Sequence, residues 1–194
     1  MYTVIGGVQS RAFRVIWALE ELGQEYDHIE CKPHSPEAMA ADPSGKIPVL
    51  RVGDDVLTDS TAILTYLADK HGALTHPAGT IARARQDGLT HMVLDEFDAV
   101  LWTAARHSFV LPQDRRVPEV KPSLMWEFAR NSKRLADRLE GPFLMGDTMT
   151  IADIVAAHCL NWAFSAKFPI EDERLLTYGK AMRGRDAFKR AAGR

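Results

Sequence analysis

Two short stretches hold the residue types that could do chemistry. One is Lys46-Ile47-Pro48-Val49-Leu50, and the other follows shortly after as Asp59-Ser60-Thr61-Ala62-Ile63-Leu64. Pro48 heads an apolar run that reads as a strand, so its missing N–H must fall where no ladder donor is needed. An X-Pro bond is also where a cis peptide is cheap, about 0.5–1 kcal/mol above trans. The expectation is a cis Ile47–Pro48 bond that turns the Ile47 N–H and C=O outward as an unpaired edge. Such an edge holds an extended peptide through main-chain hydrogen bonds. Asp59 or Ser60 then caps a helix, and a helix N-terminus attracts carboxylates. Plain capping is the simpler account of the Asp59-Ser60 pair. Taken together, the two stretches describe a cradle for a small acidic peptide.

The elements that must position this cradle follow from pattern. Residues 2–6 are β-branched and aromatic and predict a strand. Ser10 is a good N-cap for an amphipathic run from Arg11 to Leu22, which Gly23 stops. Glu25 to Cys31 alternates as a second strand, and a strand after a helix implies a parallel β-α-β unit. Residues 32–45 form a loop with at most one short helix around Glu37 to Ala41. Pro48 to Val52 and Val56 to Thr58 flank the turn Gly53-Asp54-Asp55 and predict a β-hairpin. A helix then runs to Lys70 or His71. The order β-α-β-α-β-β-α is the thioredoxin-like arrangement.

Gly72 to Gly79 lacks periodicity and marks the boundary between an α/β part, residues 1–74, and an all-helical part, residues 80–194. Leu89, Met92, Val93, Phe97, Val100 and Leu101 recur at helical spacing within one long helix, Ile81 to about Val110. A second helix spans about Val120 to Leu139. A third, Ile151 to about Phe164, is almost wholly apolar and so predicted central. Two short helices, around Glu171 to Met182 and Asp186 to Ala192, close a helical bundle. Thr150-x-x-Asp153 fits a capping box, read as structural.

The two stretches resemble the core of the cytosolic glutathione transferase family, as Gly45-Lys46-Ile47-Pro48-Val49-Leu50 and Asp59-Ser60-x-x-Ile63-Leu64-x-Tyr66-Leu67. Arg14 to Gly23 is similar to that family's first helix, and Thr150-Ile151-Ala152-Asp153 to its buried capping box. The resemblance implies that Ile47, before the cis Pro48, pairs with the cysteinyl part of glutathione, and that Asp59 and Ser60 bind its γ-glutamyl end. It implies a glutathione transferase that holds its co-substrate as thiolate for attack on a small hydrophobic electrophile, and a homodimer. An isomerase or peroxidase using the same thiol is a near variant. The rival is a non-catalytic glutathione-binding or protein-interaction module.

A free thiol has a pKa near 8.5. Lowering it by about two units takes about 2.7 kcal/mol. A helix N-terminus supplies up to about 2 kcal/mol and a hydrogen bond to a charged group about 1.5–3 kcal/mol. One helix end plus one hydroxyl therefore suffices. The family's tyrosine variants carry Tyr near the end of the first strand, where this chain has Ile5 or Gly6. The chain therefore resembles the serine- or cysteine-type branch, with Ser10 as the candidate hydroxyl and Arg11 as the nearest alternative. Gly7-Val8-Gln9-Ser10-Arg11 departs from the branch's usual Ser-Pro segment. Ser10 as a plain N-cap stays open. Trp102, Arg106 and His107, late in the long helix, are candidates for the electrophile site, with packing and solvation as the alternative.

Composition narrows the classes. A formal charge of −2 over 194 residues gives no footprint for nucleic acid or an anionic membrane. No apolar run approaches the roughly 20 residues of a membrane span, and no signal peptide is evident. Two distant cysteines, Cys31 and Cys159, suit free thiols in a reducing cytoplasm. The seven histidines form no metal motif, so no metal is expected.

Overall fold

The computed structural model describes residues 1–194, which divide into two compact units. The first is Met1–Thr80 together with Arg183–Arg194, and the second is Ile81–Met182. The expected assignment of residues 80–194 to one helical part is corrected at its end, because the last twelve residues return to the first unit.

In the first unit, β1 (Tyr2–Ile5), α1 (Ala12–Glu21), β2 (Tyr26–Ile29), α2 (Pro36–Ala41), β3 (Val49–Val52), β4 (Asp55–Thr58) and α3 (Ser60–His71) follow the order read from the pattern. The sheet order is β2-β1-β3-β4, with β1 parallel to β2 and antiparallel to β3. Helix α1 is buried from Ala12 to Leu19, including Arg14. That explains why it lacks a polar stripe over two full turns.

The returning segment holds α9 (Asp186–Ala192), which packs on α1. Phe188 meets the rings of Phe13 and Trp17 edge-on, 4.9 and 5.0 Å between centroids. Arg185 grips Glu21 through two bonds of 2.6 and 2.8 Å, while Arg190 and Arg194 reach Glu20 at 2.7 and 2.9 Å. Burial pushes the Glu20 carboxyl up. Bonds from Arg190, Arg194 and Tyr26 outweigh it and hold the group below its ordinary range. Burial and the Glu20 carboxylate raise the Tyr26 hydroxyl to about 12, so it remains a donor.

The sign for stability follows from linkage. A carboxyl lowered in the folded state stabilises above its unfolded pKa, and that contribution is lost as pH falls through the folded value. Glu20→Gln is therefore expected to be less stable than wild type at pH 7, with the gap narrowing at an acidic pH below the ordinary carboxyl range. Urea unfolding at the two pH values checks this, and a gap unchanged by pH would contradict it.

The second unit comprises α4 (Ile81–Val93), a π-helical turn Leu94–Asp98, α5 (Ala99–Ala105), a second π turn Arg106–Val110, α6 (Val120–Ala136), α7 (Ile151–Ser165) and α8 (Glu173–Gly184), whose last two residues fall in the first unit. The long helix expected over 81–110 is thus one helix with two wide turns. Helix α7 is central, with Phe97, Phe128 and Phe168 stacked edge-to-face at 5.1 and 5.4 Å in the core of the same unit. The Thr150 box is formed, and Asp153 at its N3 position is fully buried. Asp153 accepts from the amides of Thr150 and Leu144 at 2.8 and 2.9 Å and from the Tyr178 hydroxyl at 2.9 Å. Burial raises the Asp153 carboxyl even against these donors. Burial and the neighbouring Asp153 charge keep Tyr178 far above its ordinary value, so it stays protonated. No helix is long and apolar enough to cross a membrane.

Candidate functional site

Strand register brings most of the candidate residues in the first unit to one end of the sheet. Ile5 pairs with Val49, and Val49 pairs with Thr58. The turn after β1, the residues before β3 and the residues after β4 therefore emerge side by side. The N-termini of α1 and α3 open at this same end, because each helix follows directly on one of these segments.

The Ile47–Pro48 bond is cis, as expected from the sequence. Pro48 is buried and Ile47 half-buried. Ile47 sits against the first turn of the chain: a Cβ on Gly6 would lie 2.9 Å from the Ile47 Cβ and 3.0 Å from the Ala12 Cβ. Gly6 has φ +135°, so both the backbone and the close approach require glycine there. Around Ile47, the turn bonds run between His34 and Gly45 and between Gly45 and Asp42.

Asp59 caps α3, its Oδ1 accepting from the amides of Thr61 and Ala62 at 2.9 and 3.0 Å. Its carboxylate is exposed, and its backbone has φ +66°, a conformation that costs a non-glycine residue about 1–3 kcal/mol. Such strain concentrates at ligand sites. Ser60 faces the other way. It is buried, and its Oγ accepts from Arg14 Nη1 at 3.4 Å. Arg14 is a residue the sequence reading missed. A guanidinium in the middle of the apolar run Ala12–Leu19 was the available signal, since such a charge demands buried partners.

Ser10 precedes α1 and is half-buried. Its Oγ donates to the Gly7 carbonyl at 2.7 Å and accepts from the Ala12 amide at 3.1 Å. It therefore does cap the helix start. Its oxygen is held in place, and its proton rests on a neighbouring carbonyl rather than facing outward. Arg11 is half-buried and makes no side-chain capping bond.

Trp102, Arg106 and His107 belong to the second unit. Trp102 is 37% exposed, and Arg106 donates through Nη2 to Thr103 Oγ1 at 3.0 Å. His107 Nδ1 accepts from the Val117 amide at 3.1 Å, so that ring nitrogen is spent on structure. Arg116 closes this helix end by donating to the carbonyls of Leu111, Phe109 and Ser108 at 2.7, 3.0 and 3.3 Å. Sequence reading did not find it. No three His, Cys, Asp or Glu side chains gather as metal ligands.

A four-stranded thioredoxin-like unit with a cis-proline edge beside two helix N-termini, and a helical unit behind it in sequence, define a class of thiol-handling proteins. The chain belongs to the glutathione S-transferase family. Residues 10–76 match the glutathione S-transferase N-terminal domain and residues 94–178 its C-terminal domain. It is 33% identical over 174 residues to the glutathione S-transferase-like protein LUC7 of a Fusarium species, covering 79% of this chain and 73% of that one. It is 31% identical to human glutathione S-transferase theta-2, covering 67% of this chain but only 56% of that relative's length. It is 29% identical to the maleylacetoacetate isomerase of Rhizobium meliloti, covering 94% and 91% of the two chains. A Sulfitobacter glutathione transferase homolog solved with bound glutathione shares the fold, with a TM-score of 0.83 at 22% identity over 100% and 97% of the chains. Glutathione is the family's co-substrate.

Proposed function

We propose that this protein is a cytosolic, homodimeric glutathione transferase that binds glutathione at the sheet end of its first unit and activates its thiol. The observation that carries this reading is the juxtaposition of the cis Ile47–Pro48 edge with Gly6, Ala12 and the start of α1. The cysteinyl backbone pairs with Ile47. The γ-glutamyl end rests on the exposed Asp59 carboxylate and the first turn of α3. The sulfur then falls at the N-terminus of α1, where helix and hydroxyl together favour the thiolate. Ser10 Oγ need not move, because its proton swings from the Gly7 carbonyl to the sulfur. The second substrate is a small hydrophobic electrophile, with Trp102, Arg106 and His107 as its candidate contacts, and Arg11 is the nearest alternative to Ser10, as a positive charge beside the sulfur. The relative named as an isomerase keeps an isomerisation by the same thiol within the proposal.

The test is turnover of glutathione with a chromogenic chloro-dinitro arene. Ser10→Ala removes one hydrogen bond to a charged group, about 1.5–3 kcal/mol. The expected result is a kcat lower by about 10- to 100-fold at pH 7, with glutathione affinity within a few-fold of wild type. Full turnover by Ser10→Ala would take the catalytic role from this residue. Retention on immobilised glutathione without any turnover would favour a glutathione-binding module instead.

A further inference from the structure

The geometry points to Glu30, supported by His28, as a positioning residue that fixes the place of Ser10 Oγ, an inference that rests on the reading above. Two consecutive peptide planes link β1 to the segment that carries Ser10, and each is gripped at both ends. In the Gly6–Gly7 plane, the Gly6 carbonyl lies 2.9 Å from His28 Nε2, and the Gly7 amide donates to the Cys31 carbonyl at 2.9 Å. In the Gly7–Val8 plane, the Val8 amide donates to Glu30 Oε2 at 3.3 Å. The Gly7 carbonyl of that same plane accepts from Ser10 Oγ at 2.7 Å and from the Ser10 amide at 3.0 Å.

A peptide group is rigid, so fixing its N–H fixes its C=O. Glu30 therefore fixes the carbonyl that anchors the Ser10 amide, and with it the place of Ser10 Oγ. A Cβ at Gly7 would lie 2.6 Å from Glu30 Oε1 and 3.2 Å from the Cys31 carbonyl, so no side chain at position 7 leaves Glu30 where it is. His28 lies in β2 and Glu30 just past its end, and His28 Nε2 is 3.5 Å from Glu30 Oε2. His28 fixes the first plane and thereby the point from which the second one pivots.

If the Val8 amide loses Glu30, the Gly7–Val8 plane is free to turn and Ser10 Oγ loses its fixed place. The effect falls on the thiolate and on kcat, because Asp59 and α3 hold the other end of glutathione. The experiment measures kcat, glutathione affinity and the ultraviolet absorbance of bound thiolate for wild type, Glu30→Ala, Ser10→Ala and the double variant. The expected result is a roughly tenfold lower kcat and a smaller thiolate signal in Glu30→Ala, with affinity within about twofold. In the Ser10→Ala background, Glu30→Ala is expected to add nothing further. His28→Gln, which keeps a donor at the Nε2 position, is expected to retain activity that His28→Leu loses. Additive effects, or a Glu30→Ala protein equal to an active wild type, overturn this inference and leave the proposed function standing. A wild type that binds no glutathione overturns both.

Discussion

Asp153→Ala is expected to lower the stability of the second unit by about 3–5 kcal/mol. Asp153 is fully buried and receives four bonds, from the amides of Leu144 and Thr150 and the hydroxyls of Tyr178 and Thr150. Truncation removes the acceptor and leaves the donors behind. Each buried donor left without a partner costs about 1–3 kcal/mol. Two backbone amides are among them, and these have no rotamer with which to find a substitute. Water entering the space recovers part of the loss, so the sum falls below the full count of donors. For a domain with a total stability of about 5–15 kcal/mol, this is a large fraction. The start of the central α7 helix is released at the same time, because the carboxylate is half of its capping box. Asp153→Asn is expected to cost nearly as much, since its amide turns a donor toward one of the two backbone amides. Denaturant unfolding measures the change, and a loss below about 1 kcal/mol would mean that water replaces the carboxylate.

The second large effect concerns binding. Replacing Asp59 by Asn together with Ser60 by Ala is expected to weaken glutathione affinity by about 100-fold. Asp59→Asn keeps an oxygen for the Thr61 and Ala62 amides, so the helix cap survives while the charge is lost. The γ-glutamyl ammonium then loses its counter-charge, a contact worth about 1.5–3 kcal/mol, and each 1.4 kcal/mol is tenfold. Ser60→Ala removes the group that receives Arg14 Nη1, so the guanidinium beneath the site loses one of its partners. Titration calorimetry with glutathione decides the matter. Affinity within threefold of wild type, in a protein that melts normally, would remove Asp59 and Ser60 from the site.

The two predictions differ in how visible their residues are in the chain. Thr150-x-x-Asp153 is a local signal, since a capping box closes over three residues. The hairpin about Gly53 and the strand entry at Pro48 are local as well. For these, the preferences of single residues act over a few positions and need no distant partner. The helical spacing of Leu89, Val93, Phe97 and Val100 is equally local, and it predicted one long helix correctly except for its two π turns.

Other features rest on pairs that sequence order keeps far apart. Arg14 meets Ser60 across 46 residues, Glu21 meets Arg185 across 164 and Glu20 meets Arg190 across 170. Nothing in the pattern of Arg183–Arg194 says that it leaves the helical unit to lie along α1. That docking is decided by ion pairs and stacked rings formed only once the chain has folded. The candidate site divides in the same way. Residue types and spacing alone determined that Pro48, Asp59 and Ser10 stand at element ends, because strand entry and helix capping are short-range. Only the tertiary structure decided that Ser60 turns inward to Arg14 and that the Ser10 proton rests on Gly7. It also decided that Glu30 grips the adjoining peptide, because hydrogen-bond direction is set by where distant strands bring their donors and acceptors.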